Sequence, residues 1–79
     1  MKLQILGTGC PKCRALYQAA EQANQAEGWN AELEKIEDIR RIIEFGVMQT
    51  PALALDGKVL LTGRVPSAKE IAELVAKAR

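Results

Sequence analysis

The sequence predicts an α/β fold in one small domain covering residues 1–79. Short apolar runs bounded by Gly, Pro or Asn alternate with longer segments whose apolar residues recur at helical spacing, which gives the element order β-α-β-α-β-β-α. A chain of 79 residues is long enough for a single core. Because it holds only one Trp, one Tyr and one Phe, that core must be built mainly from Leu, Ile and Val.

The first strand and the first helix meet at a Gly-Thr-Gly turn. Residues 2–6 are predicted to form a short buried strand, because apolar side chains cluster there and the turn ends the run. Pro11 fits the first helical turn, where its missing N–H costs nothing, and apolar residues continue at helical spacing until Gly28. We therefore predict a helix over 11–27 with Cys10 at its N-cap.

The middle of the chain predicts a strand and a short helix. Residues 31–36 have the length of a strand and follow a Gly-Trp-Asn turn. Asp38 precedes apolar residues at helical spacing, and Gly46 is suited to ending a helix. We therefore predict a short amphipathic helix over 38–45. Its apolar side is given by Ile39, Ile42, Ile43 and the following Val47.

The last third of the chain predicts a hairpin and a closing helix. Residues 51–55 and 58–62 are apolar runs that flank an Asp-Gly pair, which suits the positive φ angles of a tight hairpin turn. Ser67 and a glutamate three residues later have the spacing of a capping box. This spacing predicts a helix over 68–78.

The overall charge excludes several classes of partner. With 11 basic and 10 acidic residues, the net charge is +1, so the chain has no electrostatic attraction for nucleic acid or an anionic membrane. No apolar run approaches the length of a membrane span, and the first residues do not resemble a signal peptide. We expect a cytoplasmic monomer that binds neither nucleic acid nor a membrane.

The main functional signal is the pair Cys10 and Cys13. Two cysteines three positions apart at a helix start can form a disulfide, but so short a loop adds little stability, so a redox or metal-binding role is favoured over a structural one. The helix N-terminus stabilises the thiolate of Cys10, while Cys13 lies one turn inside. We predict that Cys10 is the nucleophile and Cys13 the resolving thiol. Lys12 and Arg14 either lower the pKa of Cys10 further or are simply solvated.

Two other functions compete with this interpretation. The chain has no His and no third Cys, so it cannot complete a four-ligand zinc site, but two thiolates could hold Cu(I). Small copper-carrying domains with a CxxC motif end in a strand, whereas this chain ends in a helix, so we expect no metal and no cofactor beyond the redox-active disulfide. A redox-responsive binding module would instead dock partners through Pro51 and the 45–51 loop without turnover.

A second motif, Val47-Met48-Gln49-Thr50-Pro51, places a proline at the start of an apolar strand. Together with Cys10-Pro11-Lys12-Cys13 after the first strand and Gly63 after the fourth, it makes the chain resemble the thioredoxin-like superfamily over essentially its whole length. The closest likeness is to the small redox-active disulfide proteins, which lie between thioredoxins and glutaredoxins. The resemblance implies a four-stranded mixed sheet flanked by three helices.

The resemblance also implies an activity and a site. It implies a dithiol–disulfide oxidoreductase with Cys10 as nucleophile, Cys13 as resolving thiol and a cis Pro51 beside them. Its substrates would be protein disulfides, and a separate reductase would recharge it. Thr50 would offer its backbone to an incoming peptide or glutathione as an added strand. The other expected substrate-binding residues are Pro11, Lys12 and Gly63.

The sequence also departs from the family pattern. Gly9 stands where thioredoxins have a Trp before the first cysteine, and the first strand lacks their buried Asp, so proton handling must differ. Glutaredoxins have a Gly-Gly pair where this chain has Gly63 and Arg64, which argues against glutathione as a partner. Arg64 either meets a carboxylate near the site or is solvated. Trp29 is expected in the core or at its rim.

Overall fold

The computed structural model describes all 79 residues, and its elements follow the predicted order. They are β1 Lys2–Leu6, α1 Pro11–Glu27, β2 Glu32–Ile36, α2 Ile39–Glu44, β3 Ala52–Leu55, β4 Lys58–Thr62 and α3 Ala68–Ala78. Four elements have the predicted bounds, while β2, α2 and β3 are shorter than predicted. Ala31 lies outside β2 because the Asn24 side chain binds both its N–H and its C=O. Asp38 is the N-cap of α2 rather than its first residue.

The four strands form one mixed sheet in the order β2-β1-β3-β4. Strand β1 runs parallel to β2 and antiparallel to β3, and β3 pairs with β4 as an antiparallel hairpin. Asp56 and Gly57 join the hairpin with φ angles of 49° and 89°, as the Asp-Gly pair predicted. The predicted α/β fold with a four-stranded mixed sheet and three helices is confirmed.

The sheet separates two groups of buried side chains. Alternate residues of β1 point to opposite faces, so Leu3 and Ile5 pack towards α1 and α3, while Leu6 packs towards α2. The larger core also includes Leu16, Leu53, Ile71 and Val75. Trp29 packs half-buried against this core, at its rim.

Helix α2 buries only part of its apolar side. Ile42 and the following Val47 are buried, whereas Ile39 and Ile43 are 62% and 64% exposed. A helix of six residues makes fewer than two turns, so it can press only a narrow line of side chains onto the sheet. Its C-cap is Phe45, and Gly46 follows directly after that cap with φ 81°.

Helix α1 fixes the position of the two cysteines. It begins at Pro11, directly after Cys10, whose backbone is extended (φ −69°, ψ 164°) as an N-cap residue requires. Its C-cap is Gly28, which has φ 65° and donates its N–H to carbonyls of the last turn. None of the helices combines the length and apolar character needed to span a membrane.

Candidate active site

The loop between β1 and α1 brings the two thiols together. Both cysteines are free, and their Sγ atoms are 2.6 Å apart. The Cys13 N–H donates to Cys10 Sγ at 3.3 Å, so the first thiol also caps the helix. Cys10 is half-buried, whereas Cys13 is only 5% exposed. The site therefore holds one accessible and one shielded sulfur at reacting distance.

The surroundings of the two thiols move their pKa values in opposite directions. Hydrogen bonds from the Cys13 side chain and backbone N–H, with a smaller one from Lys12 N–H, lower the pKa of Cys10. Burial raises the pKa of Cys13, and its hydrogen bond to Cys10 adds to that effect. The main causes are thus hydrogen bonds and burial rather than the side-chain charges of Lys12 and Arg14.

Gly7 lies between Cys13 and Pro51. A methyl group on Gly7 would overlap Cys13 Sγ and would lie 3.1 Å from Cys13 Cβ and 3.9 Å from Pro51 Cα. Only a residue without a side chain leaves room for that sulfur. Gly7 therefore lets residues that are distant in sequence meet at the site.

The proline motif and Gly63 meet at the same end of the sheet. The Thr50–Pro51 peptide bond is cis, and Pro51 is buried. The Pro51 carbonyl accepts a hydrogen bond from Gly63 N–H at 2.8 Å. The Gln49 side chain lies over Gly63. A Cβ added to Gly63 would be 3.6 Å from Gln49 Cβ. Thr50 and Gly63 are both exposed.

The remaining predicted residues lie at the edge of the site or outside it. Pro11 and Lys12 are exposed in the first turn of α1, next to Cys10. Arg64, for which the sequence left two possibilities, pairs through its two terminal guanidinium nitrogens with Glu70 of α3. The Arg64 guanidinium lowers the pKa of the Glu70 carboxyl. This ion pair holds Arg64 to the exposed start of α3.

A pocket that the sequence did not predict lies beside Cys13. Its volume is about 200 Å³, and it lies between α1 and the end of β2. Arg14 and Tyr17 line it from α1, and Lys35 and Glu37 line it from the other side. The Lys35 ammonium lies 4.6 Å from the centre of the Tyr17 ring, a cation–π contact. The spacing of two residues between Lys35 and Glu37, which places both side chains on the same side of an extended segment, was the only sequence signal for this pair.

The chain brings no group of three or more His, Cys, Asp or Glu residues together in a way that could hold a metal ion. The two thiols can supply a nucleophilic thiolate and a second thiol that forms a disulfide with it.

A four-stranded mixed sheet with a dithiol at the start of its first helix defines a thioredoxin-like protein. The model of the family described as "Thioredoxin domain" matches residues 1–76, and the chain belongs to this family. The chain is 42% identical over 76 residues to a thioredoxin of Methanothermobacter thermautotrophicus, covering 96% of this chain and 99% of that protein. It is 39% identical over 71 residues to a thioredoxin of Methanocaldococcus jannaschii, covering 90% and 81%. The chain is accordingly a dithiol–disulfide oxidoreductase.

Proposed function

We propose that Cys10 and Cys13 exchange their dithiol with the disulfides of other proteins, with Cys10 as nucleophile and Cys13 as resolving thiol. The observation that carries this proposal is the contrast between the two thiols. Cys10 is accessible with a lowered pKa, whereas Cys13 is buried with a raised pKa, and their sulfurs are 2.6 Å apart. The thiolate is the attacking form of cysteine, so the first attack falls to Cys10.

The proposed exchange has two steps. The Cys10 thiolate attacks one sulfur of the substrate disulfide, the substrate S–S bond breaks, and one substrate thiolate leaves. Cys13 then loses its proton and attacks Cys10 Sγ, which breaks the mixed disulfide and releases the second substrate thiolate. Two electrons pass from the dithiol to the substrate, which takes up two protons. The Cys10–Cys13 disulfide that forms is the only redox group required.

Thr50 and Gly63 support the binding of an extended peptide next to the dithiol. Thr50 is exposed, and neither its N–H nor its C=O makes a hydrogen bond within the chain. A peptide that pairs with these groups as an added strand would satisfy them. Exposed Pro11, Lys12 and Gly63 would border such a peptide on either side.

The relatives named thioredoxin support protein disulfides as the substrates and a separate reductase as the source of electrons. Glutathione is a poor candidate, because Arg64 is held by Glu70 and the glutaredoxin Gly-Gly pair is missing. We further propose that the protein acts in a reducing compartment such as the cytoplasm, where a reductase can keep the dithiol reduced.

The assignment of the nucleophile can be tested by alkylation. The reduced protein is treated with limiting iodoacetamide between pH 5 and 9, and the modified peptides are measured by mass spectrometry. We expect Cys10 to react at least about tenfold faster than Cys13 at neutral pH, because its lowered pKa gives more thiolate and its sulfur is accessible. The Cys10 rate should reach half its maximum below the pH typical of a free thiol. Urea-unfolded protein is the control, since both cysteines should then react alike; equal labelling in the folded protein would contradict the assignment.

A further inference from the structure

The pocket beside Cys13 contains a carboxylate that the exchange described above does not use. Glu37 follows β2 directly and lines the pocket together with Cys13 and Gly9. Its Oε2 lies over Gly9, 3.3 Å from the position that a Cβ on Gly9 would occupy. Gly9 has no side chain and adopts φ 88°, a conformation that favours glycine. The loop therefore passes close under the carboxylate.

The second step of the exchange needs a proton acceptor near Cys13. Cys13 is buried, and burial raises its pKa, so it stays a thiol at neutral pH until a base takes its proton. Strand β1 carries no acid that could serve. Cys10 cannot serve either, because its sulfur is bonded to the substrate in the mixed disulfide.

Glu37 is the one group lining the pocket that can act as this acceptor. The other ionisable groups that line the pocket with Cys13 are Arg14 and Tyr17 from α1 and Lys35 from β2. Arginine and lysine cations have no free lone pair, and a tyrosine phenol keeps its proton at neutral pH. A glutamate carboxylate accepts hydrogen bonds and protons on both oxygens.

We propose that Glu37 accepts the Cys13 proton, through water in the pocket, when Cys13 resolves the mixed disulfide. A volume of about 200 Å³ has room for several water molecules. Glu37 is also exposed, so it can pass the proton on to solvent. This inference rests on the proposed role of Cys13 as resolving thiol.

The step balances without another reactant. The Cys13 S–H bond breaks, and its proton passes through water to a Glu37 oxygen. The Cys13 sulfur forms a bond to Cys10 Sγ as the bond between Cys10 and the substrate sulfur breaks. The substrate thiolate leaves with the electron pair of that bond and takes up a proton from solvent, to which Glu37 returns the proton that it received.

The test follows both steps with one reagent, dithiobis(nitrobenzoate). Attack by Cys10 releases a first thionitrobenzoate at a rate that depends on reagent concentration. Resolution by Cys13 releases a second thionitrobenzoate at a rate that does not depend on reagent concentration.

In Glu37→Gln the first rate should be unchanged, and the second should fall roughly 10- to 100-fold at neutral pH, as expected for the loss of a general base. Glu37→Asp should recover part of the second rate. Glu21→Gln, which removes the same charge from an exposed position of α1, should change neither rate.

The sign of the effect separates a base from a mere charge. A negative charge that only repels the Cys13 thiolate raises the pKa of Cys13, so its removal would speed the second release. A faster or unchanged second release in Glu37→Gln between pH 5 and 9 would overturn the inference, as would equal slowing of both releases. A different result would contradict the proposed function itself. If the rate of the second release in the wild-type protein depended on reagent concentration, Cys13 would not be resolving the adduct.

Discussion

Replacing Cys10 by serine should abolish the reduction of disulfides. A serine hydroxyl does not attack a disulfide, and Cys13 is too buried and too weakly acidic to replace the lost thiolate. We expect the rate to fall by at least about 1,000-fold, the scale on which removal of a catalytic nucleophile acts in enzymes. A fluorescent disulfide-linked peptide measures the loss directly.

Serine is chosen at this position because it preserves the fold. Cys10 Sγ caps α1 by accepting the Cys13 N–H, and a serine oxygen caps helices at least as well. Thermal unfolding of the variant should therefore match that of the parent. Turnover by Cys10→Ser at more than a small fraction of the parent rate would show that the nucleophile lies elsewhere.

Replacing Cys13 by serine should give a protein that reacts once and then stalls. Cys10 still attacks the substrate, but no thiol remains to release it, so a stable mixed disulfide accumulates to one substrate per chain. Intact mass spectrometry measures that adduct, and reduction by dithiothreitol should release it. In a cell extract the same stalled adduct would carry the natural substrate.

The matched variant Cys13→Ala separates resolution from activation. The Cys13 side-chain hydrogen bond is the largest cause of the lowered Cys10 pKa, and a serine hydroxyl can still donate it whereas a methyl group cannot. Cys13→Ala should therefore form the adduct more slowly than Cys13→Ser below about pH 8, and at the same rate at high pH.

The stall itself has a clear contrary result. If Cys13→Ser turned over substrate at the parent rate, Cys13 would not be the resolving thiol.

The parts of the fold that were predicted correctly depend on local signals. Pro11 after Cys10, Gly28 at the helix end and the Asp-Gly hairpin each act through the backbone preferences of a few neighbouring residues. The capping box is similar, since the Glu70 N–H donates to Ser67 Oγ as its spacing predicted. Such signals place the start of α1, and with it Cys10, without knowledge of the rest of the fold.

The parts that were missed depend on which strands are neighbours. The register pairs Ile5 with Lys35, and this pairing carries Lys35 and Glu37 to the pocket beside Cys13. Charged residues occupy both faces of β2, so alternation alone could not show which face meets α1. Gly7 was interpreted only as the end of a strand, because its contact with Cys13 and Pro51 exists only in the folded chain.

The reduction potential of the Cys10–Cys13 pair shows whether the two cysteines form one reversible dithiol–disulfide couple. The protein is equilibrated with a series of dithiothreitol or glutathione redox buffers, quenched with acid, and analysed by mass spectrometry. We expect a single two-electron transition to an intramolecular Cys10–Cys13 disulfide, at a potential within roughly −270 to −120 mV, the range of thioredoxin-like oxidoreductases. Oxidation only to dimers linked between chains, or a dithiol that binds one Cu(I) tightly and resists the oxidising buffers, would show that the two cysteines do not form such a couple.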